Sequence, residues 1–356
     1  MVRLTGISKP TASQLLARLE HAGLVRSVGL TSGRPGRSAL LYALNPAAGY
    51  AAALDVTPRR IQARVADLTG SVVGEFELKR PDRTAGSGPA SALAALEPAL
   101  AAAGLHRRSL TSVVVAATGS YDADADCLRY ARDLRSWSGE GLVQTLERMT
   151  GVPVFIENDV NLAAVAERQL GAAQDISDFF LFWAGDGIGG ALLLEDRLRR
   201  GVTGGAGEIA FLQPTGADAV HRPMRSGSGA FERWAGGPAL GELAQAHGLP
   251  GKNAVALVAA ASASDTAPAM AFLDELALRY AHGLSAVIAV LDPGAIVLAG
   301  PVIVAGGESL RARVGHHLEE IAVTIPRLLL STVVDDPVLT GAMCTALARA
   351  RETVFG

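Results

Sequence analysis

Three polar residues, Glu157-Asn158-Asp159, directly follow a short apolar segment at residues 152–156. We predict that this segment is a buried strand and that residues 160–170 form a helix. α/β proteins bind ligands at strand ends of this kind, and an amide and a carboxylate there can bond to ligand hydroxyls. Because Asn158 and Asp159 can equally cap the following helix, the residues alone leave both binding and capping open.

A second set of polar residues lies near the amino terminus. The net charge of the chain is −3, yet before Pro46 the sequence has six basic residues and one acidic residue, Glu20. Residues 8–23 predict a short helix, which Ser8 can cap and Gly23 can end. Ala12, Leu15, Leu16 and Leu19 share one predicted face. The side chains placed nearer to solvent, and predicted to face DNA, are Lys9, Thr11, Ser13, Gln14 and Arg18.

Two predicted strands, residues 24–28 and 38–44, flank a Gly/Pro-rich turn that contains Arg34 and Arg37. Helix, strand, basic turn and strand follow one another in this way in a winged helix-turn-helix domain. In such a domain the helix enters the major groove of DNA, and arginines of the turn suit a narrow minor groove. An ordinary amphipathic helix before a hairpin with a solvated turn gives the same pattern, so this alternative stays open.

The remainder of the 356-residue chain predicts an α/β protein of two similar lobes, in which apolar strands alternate with helices. Predicted strands cover residues 50–66, 72–78, 111–117, 152–156, 179–183, 191–195 and 295–298. Predicted helices cover residues 91–103, 142–149, 160–170 and 271–291. The two cysteines, Cys127 and Cys344, lie far apart, which argues against a disulfide framework. Because we find neither a secretory signal nor a membrane-spanning segment in this sequence, we expect a cytoplasmic protein.

Four further stretches occur in one order: ENDVNLAA from residue 157, GDGIGG from residue 185, GEI from residue 207, and residues 231–240. In this order they resemble the ROK family of repressors and sugar kinases. The segment TGISKPTASQLLARLEHAGLV and the stretch GRPGR resemble the winged helix of its repressor branch. The resemblance implies an α/β fold, a two-lobed actin-like, ribonuclease-H-like ATPase body behind a partial winged helix-turn-helix domain. The predicted domains are residues 1–46, residues 47–165 completed by the helix 338–353, and residues 166–337.

The resemblance also implies a ligand site. Asp159 matches the catalytic base of kinase members and Asn158 a sugar-binding residue, while Glu208 and Glu232 match carboxylates that hold sugar hydroxyls. Phe211 stands where the family has a histidine that touches both sugar and zinc, so an apolar wall replaces a polar ligand. We therefore predict that these five residues bind a sugar or another small molecule, with Asp159 catalytically inactive.

Three nucleotide-contacting loops depart from the kinase pattern. Kinases begin with Asp-x-Gly-Gly-Thr, whose glycines let amides approach phosphates, whereas this chain has Asp55-Val56-Thr57-Pro58. Asp186 replaces the usual threonine and would repel a γ-phosphate. Where kinase members have paired glycines that accept adenosine, this chain has Leu298-Ala299-Gly300-Pro301. We predict no enzymatic activity and no cofactor.

The cysteine cluster that binds zinc in the family falls on Pro223, Arg225 and Ala230, which are not ligands. His221 remains nearby, but a structural zinc site needs about four ligands. We predict no metal.

Our first hypothesis is a transcriptional regulator, in the manner of a repressor, that binds operator DNA as a homodimer or homotetramer. An effector bound between the lobes would change the spacing of its winged helices. The alternatives are a sugar kinase with altered nucleotide loops and an interaction module without DNA binding. Met1 falls inside what resembles the second helix of the winged domain, so either the true start lies upstream or the domain is degenerate.

Overall fold

A computed structural model describes residues 6–30, 40–79, 88–221, 228–251 and 253–356. Within these ranges the strands are β1 (Val25–Leu30), β2 (Leu40–Leu44), β3 (Tyr50–Val56), β4 (Arg60–Asp67), β5 (Val72–Lys79), β6 (Leu110–Ala117), β7 (Ser120–Asp122), β8 (Cys127–Arg129), β9 (Val154–Asn158), β10 (Phe179–Ala184), β11 (Ile188–Leu194), β12 (Arg197–Arg199), β13 (Ala295–Ala299) and β14 (Arg327–Leu330). The α-helices are α1 (Lys9–His21), α2 (Pro89–Ala102), α3 (Leu142–Thr150), α4 (Asp159–Leu170), α5 (Ala230–Ala235), α6 (Gly237–Ala246), α7 (Ala254–Ser262), α8 (Ala267–Leu291), α9 (Pro301–Ile321) and α10 (Pro337–Phe355).

The amino-terminal helix begins and ends where the sequence predicts. The Ser8 hydroxyl accepts the Thr11 amide N–H, which caps the first turn of α1. At the other end Gly23 has φ +72°, and the N–H groups of Gly23 and Leu24 return to the carbonyls of Glu20 and Leu19. This is the Schellman arrangement, which needs a residue that accepts positive φ. The antiparallel strands β1 and β2 follow, and residues 31–39 between them lie outside the described residues.

The first large sheet has the strand order β5-β4-β3-β6-β9. The prediction of one continuous strand over residues 50–66 is wrong, because a turn at residues 57–59 divides it into β3 and β4. The amide N–H and the hydroxyl of Thr57 both donate to the Arg60 carbonyl at 2.9 Å. Pro58, which has no N–H to give to a strand ladder, lies at the tip of this turn. β3 and β4 therefore pair as an antiparallel hairpin.

The second large sheet has the order β12-β11-β10-β13-β14, with β13 parallel to both β10 and β14. Its core is apolar and includes Phe182 and Tyr280, whose rings meet edge to face at 5.0 Å. The sequence analysis predicted no helix over residues 301–321, where the structure has α9. Pro301 occupies the first turn of that helix, where a missing N–H costs nothing.

The chain forms two compact units. The first contains residues 1–115, 143–156 and 343–356, and the second contains residues 116–142 and 157–342. The mixed α/β class and the two sheets confirm the predicted fold class, whereas the predicted domain boundaries stay predictions. Of the helices in the described ranges, none is both long and apolar enough to cross a membrane.

A buried carboxylate fastens the carboxyl end of α4 within the second unit. Glu167 is 1% exposed and accepts a hydrogen bond from the Ser331 hydroxyl at 2.6 Å. It also accepts the amide N–H groups of Val333 at 2.9 Å and Ala172 at 2.7 Å. A buried charge is tolerated only when its lone pairs are satisfied, and here hydroxyl and amide donors do this work.

We expect Glu167→Gln to lower the free energy of unfolding by about 1.5–3 kcal/mol, because the new amide presents N–H groups to N–H donors and loses charge-assisted bonds. The measurement is urea unfolding followed by tryptophan fluorescence. Glu320→Gln, at an exposed glutamate on α9, is the control and should change little. Equal stability of the two variants would show that the Glu167 bonds contribute no net stabilisation.

Candidate ligand-binding site

The site residues begin where two neighbouring strands of the first sheet end. Thr118, Gly119 and Ser120 follow β6, and Asn158 and Asp159 stand at the end of β9. All five belong to the second compact unit. Two side-chain bonds join the segments: the Asn158 amide donates to the Gly119 carbonyl at 3.0 Å, and the Thr118 hydroxyl donates to an Asp159 carboxylate oxygen at 3.0 Å.

Asn158 caps the helix, as one of the two interpretations of the sequence held. Its side-chain oxygen accepts the Asn161 N–H at 3.0 Å, while its NH₂ group donates to Gly119. An amide nitrogen carries two hydrogens, so capping and ligand binding are compatible. The side chain is thereby fixed from both sides.

Asp159 is the first residue of α4 and is half-buried. Burial raises the pKa of its carboxyl to about 6, against hydrogen bonds from Thr118 and the Val160 N–H that lower it; the negative charge of Glu208 raises it further. This group therefore changes its charge near neutral pH, and its protonated form can donate to a ligand while its ionised form can only accept.

Glu208 faces the same group from another segment. It accepts the Ser120 hydroxyl at 2.8 Å, and burial raises the pKa of its carboxyl. Within the described residues neither Asp159 nor Glu208 forms an ion pair with a basic side chain. Two such carboxyls retain acceptor capacity for the hydroxyls of a ligand.

Glu157, the carboxylate just before them, is satisfied by the protein itself. It is 8% exposed and accepts from the Arg200 guanidinium at 2.5 Å, from the Asn158 N–H at 3.0 Å and from the Asn161 side chain at 2.8 Å. These bonds hold the chain at the start of α4. We assign Glu157 a positioning role, which the sequence did not predict.

The structure connects Phe211 to Glu208 through the backbone, whereas it places Glu232 beside the β10–β11 turn. Phe211 ends the one-turn 3-10 helix that follows Glu208, and its N–H donates to the Glu208 carbonyl at 3.2 Å. Its ring lies 5.7 Å from the ring of Tyr130. Glu232 lies on α5, with a carboxylate oxygen 3.2 Å from where a Cβ of Gly187 would stand. Glu232 is therefore next to the β10–β11 turn.

Sequence reasoning missed Thr118, Ser120 and Tyr130. The strand-end rule that selected Asn158 applies equally to Thr118-Gly119-Ser120 after β6, so that signal was available. Tyr130 follows the short strand β8 and carries no comparable signal in its neighbours.

Two turns match the nucleotide-binding loops of kinase members, and both make contacts within this chain. The Thr57 N–H is bonded to the Arg60 carbonyl and Pro58 has no N–H, so two backbone positions of the β3–β4 turn, which matches the phosphate loop of kinase members, offer no donor. The exposed Asp186 lies in the β10–β11 turn. A Cβ on Gly237 would lie 3.1 Å from the Asp186 Cα, so the first residue of α6 packs directly on that turn.

The predicted DNA-facing side chains of α1 are all exposed: Lys9, Thr11, Ser13, Gln14 and Arg18. On the opposite face Ala12 is buried and Leu16 and Leu19 are half-buried, as predicted. Leu15 is 39% exposed, so its predicted place on a buried face is wrong, because no described element covers it. Arg34 and Arg37 lie outside the described residues.

The region of the expected zinc cluster is described only in part. His221 is exposed and Ala230 begins α5, whereas Pro223 and Arg225 lie outside the described residues. In the part of the chain that the structure describes, no group of three or more His, Cys, Asp or Glu side chains could hold a metal ion. The absence of zinc stays a prediction.

Comparison with known proteins finds the ROK family over residues 51–349. A β-glucoside kinase of Listeria monocytogenes is 33% identical over 39% of this chain and 46% of its own length. A putative xylose repressor of Caldicellulosiruptor is 24% identical over 59% of this chain and 53% of its own length. The chain thus spans about half the length of each of these two relatives.

Among solved structures, a ROK family transcriptional regulator described as a homologue of the E. coli Mlc protein is similar to the whole chain. The alignment covers 100% of this chain and 93% of that one, with a TM-score of 0.75 and 17% identity. At this identity the similarity establishes a common fold.

We expect Asp159→Asn to stabilise the folded chain by about 1–3 kcal/mol at pH 7.5. Since the folded pKa is raised to about 6, ionising Asp159 costs the folded state free energy above that pH, and the cost disappears as the pH falls toward the ordinary aspartate value near 3.9. Urea unfolding at pH 5.0, 6.0 and 7.5 should therefore show a gain that shrinks with falling pH.

Asp175→Asn, at an exposed aspartate, is the control for that series. A gain in Asp159→Asn that is the same at every pH would contradict an effect of ionisation. A loss at pH 7.5 would show that the bonds from Thr118 and Val160 outweigh the cost of burial.

Proposed function

Because this chain belongs to the ROK family, whose relatives here include a kinase and a repressor, we propose that it is a DNA-binding transcriptional regulator without kinase activity. A sugar or another small molecule bound at Asp159 and Glu208 controls its affinity for operator DNA. It acts in the manner of a repressor, as a homodimer or homotetramer.

The observation that carries the choice of regulator over kinase is the closed β3–β4 turn. Phosphoryl transfer needs backbone donors that cradle the phosphates, since catalysis rests on positioning and charge stabilisation. Here the Thr57 N–H is bonded to Arg60 at 2.9 Å and Pro58 has no N–H. The exposed carboxylate of Asp186 adds a like charge in the second nucleotide loop.

The amino-terminal module supports DNA binding. Its capped helix presents two basic and three neutral hydrogen-bonding side chains to solvent, a set suited to base edges and phosphates. Two antiparallel strands follow, and Arg34 and Arg37 lie between them in the sequence. The relatives named as xylose repressors agree with this assignment.

A sugar kinase is the second candidate, because one observation favours it. Asp159 lies at a helix start with a pKa raised to about 6, which is a suitable value for a general base near neutral pH. The same features serve a regulator that only binds a ligand hydroxyl. The two candidates therefore differ at the nucleotide loops and not at Asp159.

We expect the chain to bind one duplex from its own upstream region more tightly than random DNA, in fluorescence anisotropy over a salt series. The double substitution Arg34→Ala and Arg37→Ala should weaken binding and reduce the salt slope by about 1.8 for each bound protomer, since each lost phosphate contact removes about 0.9 from the slope. Arg59→Ala with Arg108→Ala removes the same charge at two exposed arginines elsewhere and should leave the slope nearly unchanged. Unchanged affinity in the first variant would refute the assignment of the turn.

We expect no ATP-dependent phosphorylation of glucose, xylose or N-acetylglucosamine, because the phosphate loop lacks its donors. Release of ADP in a coupled assay measures this, with a glucokinase as the positive control. Sugar-dependent ADP release that disappears in Asp159→Asn would establish the kinase instead.

A further inference from the structure

Two aromatic residues lie on segments that adjoin residues of the site. The rings of Tyr130 and Phe211 are 5.7 Å apart and inclined at 52°, and both residues are half-buried. They come from distant parts of the sequence but from the same compact unit. An aromatic pair at this separation forms a preferred tilted contact and leaves ring surface for a third group.

The backbone of Tyr130 is held in an unfavourable conformation. Its φ is +61°, in the left-handed region, where bulky side chains are rare. The other non-glycine residues with positive φ in the described ranges are all acidic, so Tyr130 is the one aromatic residue among them. Local strain of this kind persists when surrounding contacts impose it, and it is concentrated at functional sites.

Gly119 permits close packing of the segment that contains Tyr130. A Cβ on Gly119 would lie 2.5 Å from the Arg129 carbonyl oxygen and 2.9 Å from the Ala131 nitrogen, so only glycine lets the Tyr130 segment approach this closely. The Gly119 carbonyl also accepts the Asn158 amide. The backbone on either side of Tyr130 therefore packs on a residue that is hydrogen-bonded to the start of α4.

The backbone of Phe211 is tied to the backbone of Glu208. A Cβ on Gly229 would lie 2.4 Å from the Phe211 Cα, so the residue before α5 packs against its backbone. The Phe211 N–H donates to the Glu208 carbonyl. One fixed frame thus presents the hydrogen-bonding groups of Asp159 and Glu208 together with an aromatic surface.

We propose that the ligand of this site is a glycoside with an apolar aglycone, an aryl or alkyl group. The sugar hydroxyls bond to Asp159 and Glu208, and the aglycone packs against Tyr130 and Phe211. A free sugar presents a hydroxyl where the aglycone would be, and aromatic carbon offers that hydroxyl no partner to replace water. This inference rests on the proposed function, because it specifies the chemical class of the effector at the same site.

The test is isothermal titration calorimetry of the full chain with matched probes. The probes are the free sugar, the methyl β-glycoside and the phenyl β-glycoside of glucose, galactose and xylose, with cellobiose as a disaccharide. For at least one sugar the phenyl glycoside should bind about tenfold more tightly than the methyl glycoside, as expected for one added aromatic contact.

Two substitutions test the aromatic pair. Phe211→His should reduce the phenyl-to-methyl ratio to about threefold or less, since it replaces the apolar ring by a polar one. Tyr130→Gly should do the same; glycine adopts φ +61° without strain, so this variant is expected to fold. Phe355→His, at an exposed phenylalanine in the first unit, is the matched control and should leave the ratio unchanged.

Several outcomes overturn the inference. Equal affinity for phenyl and methyl glycosides, or an undiminished ratio in both site variants, would show that the aromatic pair does not contact the aglycone. Tighter binding of cellobiose than of phenyl glucoside would show that the second group is a sugar ring. If no glycoside binds while the chain binds its operator, the glycoside inference is wrong and the proposed regulator function is unaffected. If the chain prefers phenyl glycosides but these do not change its affinity for DNA, the glycoside inference is supported. That result would refute control of DNA binding by this ligand.

Discussion

The candidate site depends on two hydrogen bonds of the Asn158 side chain. One end of its amide accepts the Asn161 N–H and begins α4, and the other end donates to Gly119 in the segment after β6. Both segments bear groups of the candidate site, because Asp159 follows Asn158 and Ser120 follows Gly119. Asn158→Ala would remove both the cap of α4 and the hydrogen bond to Gly119. Loss of a helix cap alone lowers the free energy of unfolding by about 1 kcal/mol.

The carboxyls near α4 have three kinds of environment. Glu157 is neutralised by Arg200, and Glu167 is surrounded by hydroxyl and amide donors at the far end of α4. Asp159 and Glu208 have fewer donors, and burial raises the pKa of both. Ionised carboxyls at these two positions oppose folding, which agrees with the ligand-binding role that we propose for them.

Much of this arrangement was predictable from sequence because it depends on local signals. Ser8 and Gly23 delimit α1, and the strand-end position of Asn158 and Asp159 follows from an apolar run before a helical pattern. The two-sheet fold follows from alternating strands and helices together with ordered motifs. Residues 50–66 misled the prediction, since their apolar alternation continues through a turn whose closure depends on the Thr57 side chain. Tyr130 was unpredictable for another reason: its place beside Phe211 depends on how closely Gly119 lets two backbone segments approach.

Helix α4 is attached at both of its ends to other parts of the second unit. Asn158 and Asp159 hold its start to the segment after β6, while Glu167 holds its last turn to residues 331–333 beyond β14. At 1.5 Å per residue the twelve residues of α4 form a rod about 18 Å long. Helices resist axial compression, so the two attachment points form the ends of one mechanical linkage. The start of α4 and the chain just before α10 are therefore held about one helix length apart.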